Sequence, residues 1–340
     1  MRILVTGADG FLGEHLLRTL LGAGHEVVGG ILGDAPELRT LDPAEASRVE
    51  WRSFDLRDPA SVTALIAGTV PDATVHLAGL TSVHASWREP ERVVETNALG
   101  ALRLINALRE LPARSDVRRT VVLAGSAEAY GAEGTEAQPL TEDRPLQPLN
   151  PYGASKAAQE MIGWALGRAP WLRLIQVRTF QLAGPGQRPT FALPDWARQL
   201  VEIRAGRRPP VLSVGNLAPV RDFLDVRDAA AAYHALLETP GAEGAFNLCS
   251  RKGYSLRELL ERLQRIVGVW PEVRVDAARM RPADVGSLVG SPARLIAATG
   301  WRPERSIQQA LEDLVAEVER LAGPADPPTA PARGRNGNGV

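Results

Sequence analysis

Across 340 residues the chain is 44% hydrophobic and 23% charged, with a formal net charge of −1, the balance of a soluble globular protein with room for a substantial core. Arginines dispersed among acids give no basic field for nucleic acid, and no apolar run approaches the ~18 residues of a membrane span. A single cysteine, Cys249, excludes an internal disulfide and a cysteine metal cluster, and the five histidines show no ligand spacing. The expectation is a metal-free protein of the reducing cytoplasm, its N-terminus opening on a strand rather than a signal peptide.

Residues 2–6 (RILVT) read as a buried parallel strand. Gly7, Gly10 and Gly13 follow, and a helix to about residue 21. Strands are predicted at 26–31, 49–55, 73–77, 119–124 and 172–178, with helices from 59, over 91–109 and over 151–166. Residues 131–149 form a polar, proline-rich loop. This alternation predicts an α/β fold, a Rossmann doubly wound parallel sheet spanning 1–178. Helix 226–237 returns to it, so that about 226–245 completes that domain. Residues 179–225 and 246–322, with helices near 194–205, 256–267 and 307–321, read as a smaller C-terminal α+β substrate-binding lobe. The Pro/Gly/Asn-rich stretch 323–340 reads as a disordered tail.

Two features carry chemistry. The first is the glycine turn after the first strand, where backbone N–H groups at a helix N-terminus can face a pyrophosphate. The spacing is G-x-x-G-x-x-G. Asp55 closes the third strand, where a carboxylate can accept from an adenine amino group; its bland alternative is a helix cap. Asp34 sits late for a ribose ligand and no arginine lies between the second strand and Arg39, so NAD and NADP both stay open. The second feature is Tyr152 with Lys156. Lysine occurs only twice in the chain, and one copy stands four residues after a tyrosine. On a helix these positions share a face. Asn150 suits the N-cap and Pro151 the first helical position. The helix N-terminus and the ammonium are expected to pull the phenol's pKa from ~10 toward neutrality. The alternative is a surface Tyr–Lys pair.

Nine segments in order resemble the extended short-chain dehydrogenases/reductases that modify nucleotide sugars. They are 6–13 (TGADGFLG), 76–79 (HLAG), 125–131 (GSAEAYG), 150–156 (NPYGASK), 184–187 (GPGQ), 214–228 (VGNLAPVRDFLDVRD), 246–250 (FNLCS), 281–285 (RPADV) and 299–303 (TGWRP). The chain is most similar to the GDP-4-keto-6-deoxy-mannose reductases and GDP-mannose 4,6-dehydratases. The resemblance implies a cofactor, NAD or NADP, held by Gly7, Asp9, Gly10, Phe11, Leu12, Gly13, Asp55, Leu56, Leu77, Ala78, Gly79, Tyr152 and Lys156. It implies a catalytic set of Ser126, Tyr152 and Lys156, with Glu128 as the extra base if the chain is a dehydratase. Thr81, Ser126, Gln181, Asn216, Arg221 and Arg281 are the implied contacts to a nucleotide-diphosphate sugar, expected to be a GDP-hexose; a guanidinium fork suits the diphosphate. Asn97 is expected to be structural. Gln181 stands where these reductases commonly carry asparagine, and Trp87 either narrows the sugar site or packs in the core. The leading expectation is reduction of the C4 ketone of a GDP-6-deoxyhexose. The alternatives are a 4,6-dehydratase with tightly bound NAD(P), a 4-epimerase, and, from another class, a dinucleotide-binding regulator. Helices 91–109 and 151–166 imply a homodimer or higher homo-oligomer.

Overall fold

The computed structural model describes residues 1–112, 118–131, 139–280 and 285–323. Arg281 and the 324–340 stretch therefore lie outside the described residues. In chain order the first half runs β1 (Arg2–Thr6), α1 (Phe11–Gly22), β2 (Glu26–Ile31), α2 (Pro43–Ala46), β3 (Val49–Ser53), α3 (Pro59–Thr69), β4 (Ala73–His76), α4 (Val83–Ser86), α5 (Pro90–Val94), α6 (Gly100–Arg109), β5 (Arg119–Ala124), α7 (Pro151–Leu166) and β6 (Leu172–Thr179). The second half runs β7 (Gln181–Ala183), α8 (Ala192–Arg204), β8 (Val211–Val214), β9 (Val220–Asp225), α9 (Val226–Glu238), β10 (Gly244–Leu248), β11 (Gly253–Ser255), α10 (Leu256–Val267), β12 (Glu272–Val275), β13 (Ser287–Leu288), α11 (Ala293–Thr299) and α12 (Ile307–Ala322).

Seven parallel strands form the central sheet in the order β10-β6-β5-β4-β1-β2-β3. The apolar runs make this possible because both sheet faces are covered. Ile3 and Val5 face one layer, where α1 and α9 bring Leu16, Leu17, Leu20, Tyr233 and Leu236. Leu4 faces the other, where α3 and α6 bring Val62, Ile66, Leu104 and Leu108. The strand order reverses between β1 and β4, and ligands of such sheets bind outside the carboxyl ends at that switch. A separate apolar cluster joins α8, α10 and α12 through Trp196, Leu200, Leu263, Leu311 and Leu314. Beside it β9 pairs with β7, β11 and β13, and β8 with β12.

Three boundaries differ from expectation. The sheet takes in β10 as far as Leu248, and Leu295 and Trp301 pack against the same core, so the expected limit at about residue 245 falls short. The third strand stops at Ser53, because Phe54 turns inward to a buried position and Asp55 begins a turn. The long helix over 91–109 is interrupted at Glu95–Leu99 by a turn of π-helix. Such insertions redirect side chains at functional sites. Here the turn delivers Asn97 to the segment after β4.

Candidate active site

The glycine turn fits a dinucleotide on its backbone alone. Gly7 has φ +68°, and its N–H donates to Gly30 O (2.8 Å), pinning the turn to β2. A Cβ on Gly7 would meet Ala78 N at 2.8 Å, and one on Gly13 would overlap Gly7 O. The turn, the 77–79 segment and the start of α1 therefore touch backbone to backbone. Gly10 caps α1 with no side chain, so the first-turn N–H groups stay open toward the carboxyl edge of the sheet. Asp9, Phe11 and Leu12 complete this turn. Glu14, buried on α1, accepts from the backbone N–H groups of Arg39, Thr40 and Leu41 and so fastens the loop after β2 over the helix. On the other side the 184–187 turn closes in. Pro185 O accepts from the His15 ring at 2.9 Å, and a Cβ on Gly186 would meet Thr40 Cγ2 at 2.8 Å.

Asp55 stands at the rim, its carboxylate paired with Arg57 at 2.6 Å, which holds its pKa below the usual carboxylate range. It does not cap the next helix; Asp58 does. Leu56 is buried against Gly100 on α6. Asp34 is exposed in the loop after β2.

The N-terminus of α7 forms as its sequence dictates: Pro151 opens it and Asn150 Oδ1 accepts from Gly153 N at 2.7 Å. Tyr152 in the first turn is 8% exposed and its hydroxyl lies beside Ser126. Ser126 follows β5, and its Oγ accepts from Glu128 N (3.2 Å). Glu128 is buried beside it, with Oε2 accepting from Asn150 Nδ2 at 2.9 Å. Lys156 lies below on the same helix face, buried, its ammonium donating to Ala124 O (2.7 Å) and Gln159 Oε1 (3.0 Å). Ser126, Glu128, Tyr152 and Lys156 are thus brought together as expected.

Their electrostatics correct the expectation. Burial pushes the Tyr152 phenol up to about 12, the Ser126 hydrogen bond offsets part of this, and the Glu128 charge adds to it. Lys156 does not pair with the phenol; burial brings its ammonium down to about 8. Desolvation, which disfavours the phenolate, outweighs the helix N-terminus, so the phenol is protonated rather than poised near neutrality. His76, at the end of β4, is likewise held neutral, brought down to about 3 by burial and the nearby Lys156.

The expected substrate contacts scatter around this edge. Gln181 is half-buried on β7, opposite Phe223, and Thr81 is exposed just before α4. Asn216 is exposed and its Oδ1 accepts from Ala218 N (3.0 Å). Arg221 is buried on β9, donating to Val220 O and to Val285 O (2.7 Å). Trp87 is 40% exposed at the end of α4, which rules out the core-packing alternative.

Several residues hold the site through partners that the sequence does not reveal. Asn97, with no exposure, accepts from Leu80 N and donates to Leu80 O and to Ser155 Oγ (2.9 Å), locking the 77–80 segment to α7. A Cβ on Gly79 would lie 2.7 Å from Asn97 Oδ1 and 3.7 Å from Lys156 Nζ, so glycine keeps the space before the ammonium open. A Cβ on Gly153 would meet Glu128 O at 2.5 Å. Beneath the site Arg178 is buried against Glu160 (2.5 Å) and donates to the Tyr130 hydroxyl, which in turn donates to Asn247 Oδ1. Far from this edge, His25, His234 and Glu238 bring three ligand atoms within 4.8 Å of one another, a cluster invisible in the sequence because 209 residues separate the two histidines.

Comparison with known proteins agrees with this geometry. The family model described as GDP-mannose 4,6 dehydratase matches residues 4–314. The GDP-6-deoxy-D-mannose reductase of Pseudomonas aeruginosa is 36% identical over 318 residues, covering 94% of this chain and 97% of that one. Among solved structures, RMD from Pseudomonas aeruginosa complexed with NADPH superposes with a TM-score of 0.78 at 33% identity, over 94% of this chain and 99% of that one. The UDP-glucose 4-epimerase of Thermus thermophilus in complex with NAD gives 0.79 at 30% identity, over 94% and 99%. Among the described residues no helix is long and apolar enough to cross a membrane. The chain belongs to the GDP-mannose 4,6-dehydratase family, and so to the NAD(P)-dependent nucleotide-sugar enzymes of the extended short-chain dehydrogenase/reductase type.

Proposed function

We propose that the chain reduces the C4 ketone of a GDP-linked 4-keto-6-deoxyhexose, with NADPH or NADH as reductant. The observation that carries this reading is Tyr152 buried beside Ser126, with Lys156 on the same helix below it. Reduction of a ketone adds a hydride to carbon and a proton to oxygen. The dinucleotide, when bound at the glycine turn, supplies the hydride. Tyr152 gives its proton to the developing C4 oxyanion while Ser126 donates a hydrogen bond to the same oxygen. Lys156, two of its protons held by Ala124 O and Gln159, directs the third toward the space Gly79 leaves, where a cofactor ribose fits. The lobe formed by β7–β9 and α8, α10 and α12 is proposed as the substrate lobe. Arg221, with Arg281, meets the diphosphate, and Thr81, Gln181 and Asn216 meet the sugar or base. Trp87 narrows the sugar entrance.

A dehydratase needs a further base to take the C5 proton, and the candidate, Glu128, is already bonded to Asn150, which occupies one lone pair of that base. The 36% identity to a named GDP-6-deoxy-D-mannose reductase points the same way.

The two-copy assembly is supported by Val94, Leu99, Met161 and Trp164, which expose apolar surface on α5, on the π-turn that follows it and on α7, three elements that pack together. Sedimentation should give a dimer that Trp164→Glu converts to monomer; an unchanged dimer rejects this face. The buried thiol of Cys249 fits a reducing cytoplasm.

The deciding experiment offers the purified protein GDP-4-keto-6-deoxymannose with NADPH or NADH and, separately, GDP-mannose with no reductant, followed by mass spectrometry. A gain of two hydrogens with loss of reduced-nicotinamide absorbance is expected. Loss of water from GDP-mannose alone would identify a dehydratase and overturn the proposal.

A further inference from the structure

A second cluster of donor groups lies at the opposite edge of the sheet. His25 occupies the tight corner between α1 and β2. Its N–H donates to Leu20 O (3.1 Å) and it follows Gly24 at φ +80°, so the ring is placed by backbone geometry. Its side chain is 10% exposed. α9 presents His234 and Glu238 at i and i+4, one above the other on one face. His25 Nε2 lies 3.2 Å from His234 Nε2 and 3.5 Å from Glu238 Oε1. Its Nδ1 faces the Met1 amino nitrogen at 3.5 Å.

These separations have a chemical reading. Zinc takes imidazole nitrogen at about 2.0–2.1 Å and carboxylate oxygen at about 2.0–2.2 Å, so ligand atoms around a tetrahedral ion lie on the order of 3.3–3.4 Å apart. Two edges from His25 Nε2 already fall near that value. Glu238, half exposed at the last turn of its helix, has the freedom to bring in the third. One carboxylate and two imidazoles suit a borderline divalent ion rather than calcium or magnesium, which prefer all-oxygen sites.

We propose that His25, His234 and Glu238 bind a zinc-class divalent transition-metal ion, with water in the fourth position. The ion ties the α1–β2 corner to the end of α9. Those two elements pack the same side of the sheet, so the bound metal clamps one core layer from its N-terminal edge. The site stands apart from the nucleotide end, and its occupancy is readable without turnover. The competing arrangement is a plain imidazole–imidazole hydrogen bond, which binds no metal.

Untagged, chelator-stripped protein is titrated with Zn2+ by calorimetry and with Co2+ by absorbance. One equivalent per chain, intense tetrahedral Co2+ bands and a higher thermal midpoint with Zn2+ are expected. Glu238→Gln, on the surface and safe for folding, and His234→Ala should each weaken binding more than tenfold, within the roughly 10–100-fold that losing even an outer partner of a metal ligand costs. No saturable binding, or saturation unchanged in both variants, overturns the proposal.

Discussion

Gly153→Ala tests the contact on which the site's geometry turns. Residue 153 is in the first turn of α7, beside Tyr152, and an alanine there would ordinarily help, by ~1 kcal/mol of helix propensity over glycine. Its Cβ, however, would stand 2.5 Å from Glu128 O, 3.0 Å from Glu128 C and 3.1 Å from Pro148 Cβ. None of these is the end of a flexible side chain. The turn carrying Ser126 and Glu128 must then retreat from α7 by something on the order of 0.5–1 Å. Overpacking of this kind costs about 1–3 kcal/mol, so net stability should fall by roughly 0–2 kcal/mol after the propensity gain. Activity should suffer far more, because a misplacement of ~1 Å at the reacting groups costs about 100-fold. The glycine turn is untouched, so dinucleotide affinity should hold. Urea denaturation, nicotinamide fluorescence titration and steady-state ketone reduction separate the three quantities. Turnover within twofold of the parent would refute the claim that contact between α7 and the 126–129 turn sets the Ser126–Tyr152 geometry.

Tyr152→Phe should lower ketone reduction by about 100- to 10,000-fold, the usual worth of a positioned proton donor, while dinucleotide titration stays as in the parent; retained turnover would move the acid elsewhere. Lys156 predicts a pH signature in stability. Its ammonium titrates near 8 when folded and near 10.5 otherwise, so between those values the unfolded chain binds more protons and stability rises with pH. The gap corresponds to roughly 3 kcal/mol at most. Lys156→Met should remove that rise and abolish activity; a parent whose denaturation midpoint is flat from pH 8 to 10 contradicts the burial argument. Tyr152 has the opposite sign, its stabilisation being lost as pH climbs from about 10 through 12. Glu160→Gln leaves the Arg178 charge buried without its counter-ion, which should cost about 3–5 kcal/mol by denaturant titration; a loss under ~1 kcal/mol would mean Tyr130 and the Glu142 carbonyl suffice to hold it.

The sequence made the scaffold readable where one rule acted alone. Apolar runs of strand length, a glycine turn after the first strand and an Asn-Pro helix start each have one physical solution, and β1, β2, β5 and α7 stand at their expected residues. What the sequence hid depends on distant partners. Asn97 is expected to be structural from the resemblance alone, and its partners follow from a π-turn that swings it to Leu80 and Ser155. Gly153 looks like an interchangeable small residue until the carbonyl oxygen opposite it is known. The Arg178–Glu160–Tyr130–Asn247 chain draws on four segments distant in sequence, and the His25–His234 pair joins the first corner of the fold to α9.

For Tyr152 the sequence shows the neighbouring groups but not their relative weights. A helix N-terminus and an ammonium four residues on are legible in the sequence, and both favour the phenolate. Burial is not legible there, nor is the donation of Lys156 to a main-chain carbonyl and a glutamine instead. At 8% exposure, with Glu128 adding a negative field, desolvation dominates and the acid keeps its proton. At neutral pH such a phenol carries the proton that ketone reduction consumes, and reduction should fall off only as pH rises toward the phenol's pKa. The Glu128 charge is one of the causes that hold that pKa up. Glu128→Gln ought therefore to bring the Tyr152 pKa down and move the alkaline fall of ketone reduction to lower pH, read from the pH profile of kcat/KM. A fall left in place or moved to higher pH would show that Glu128 has no hand in setting it.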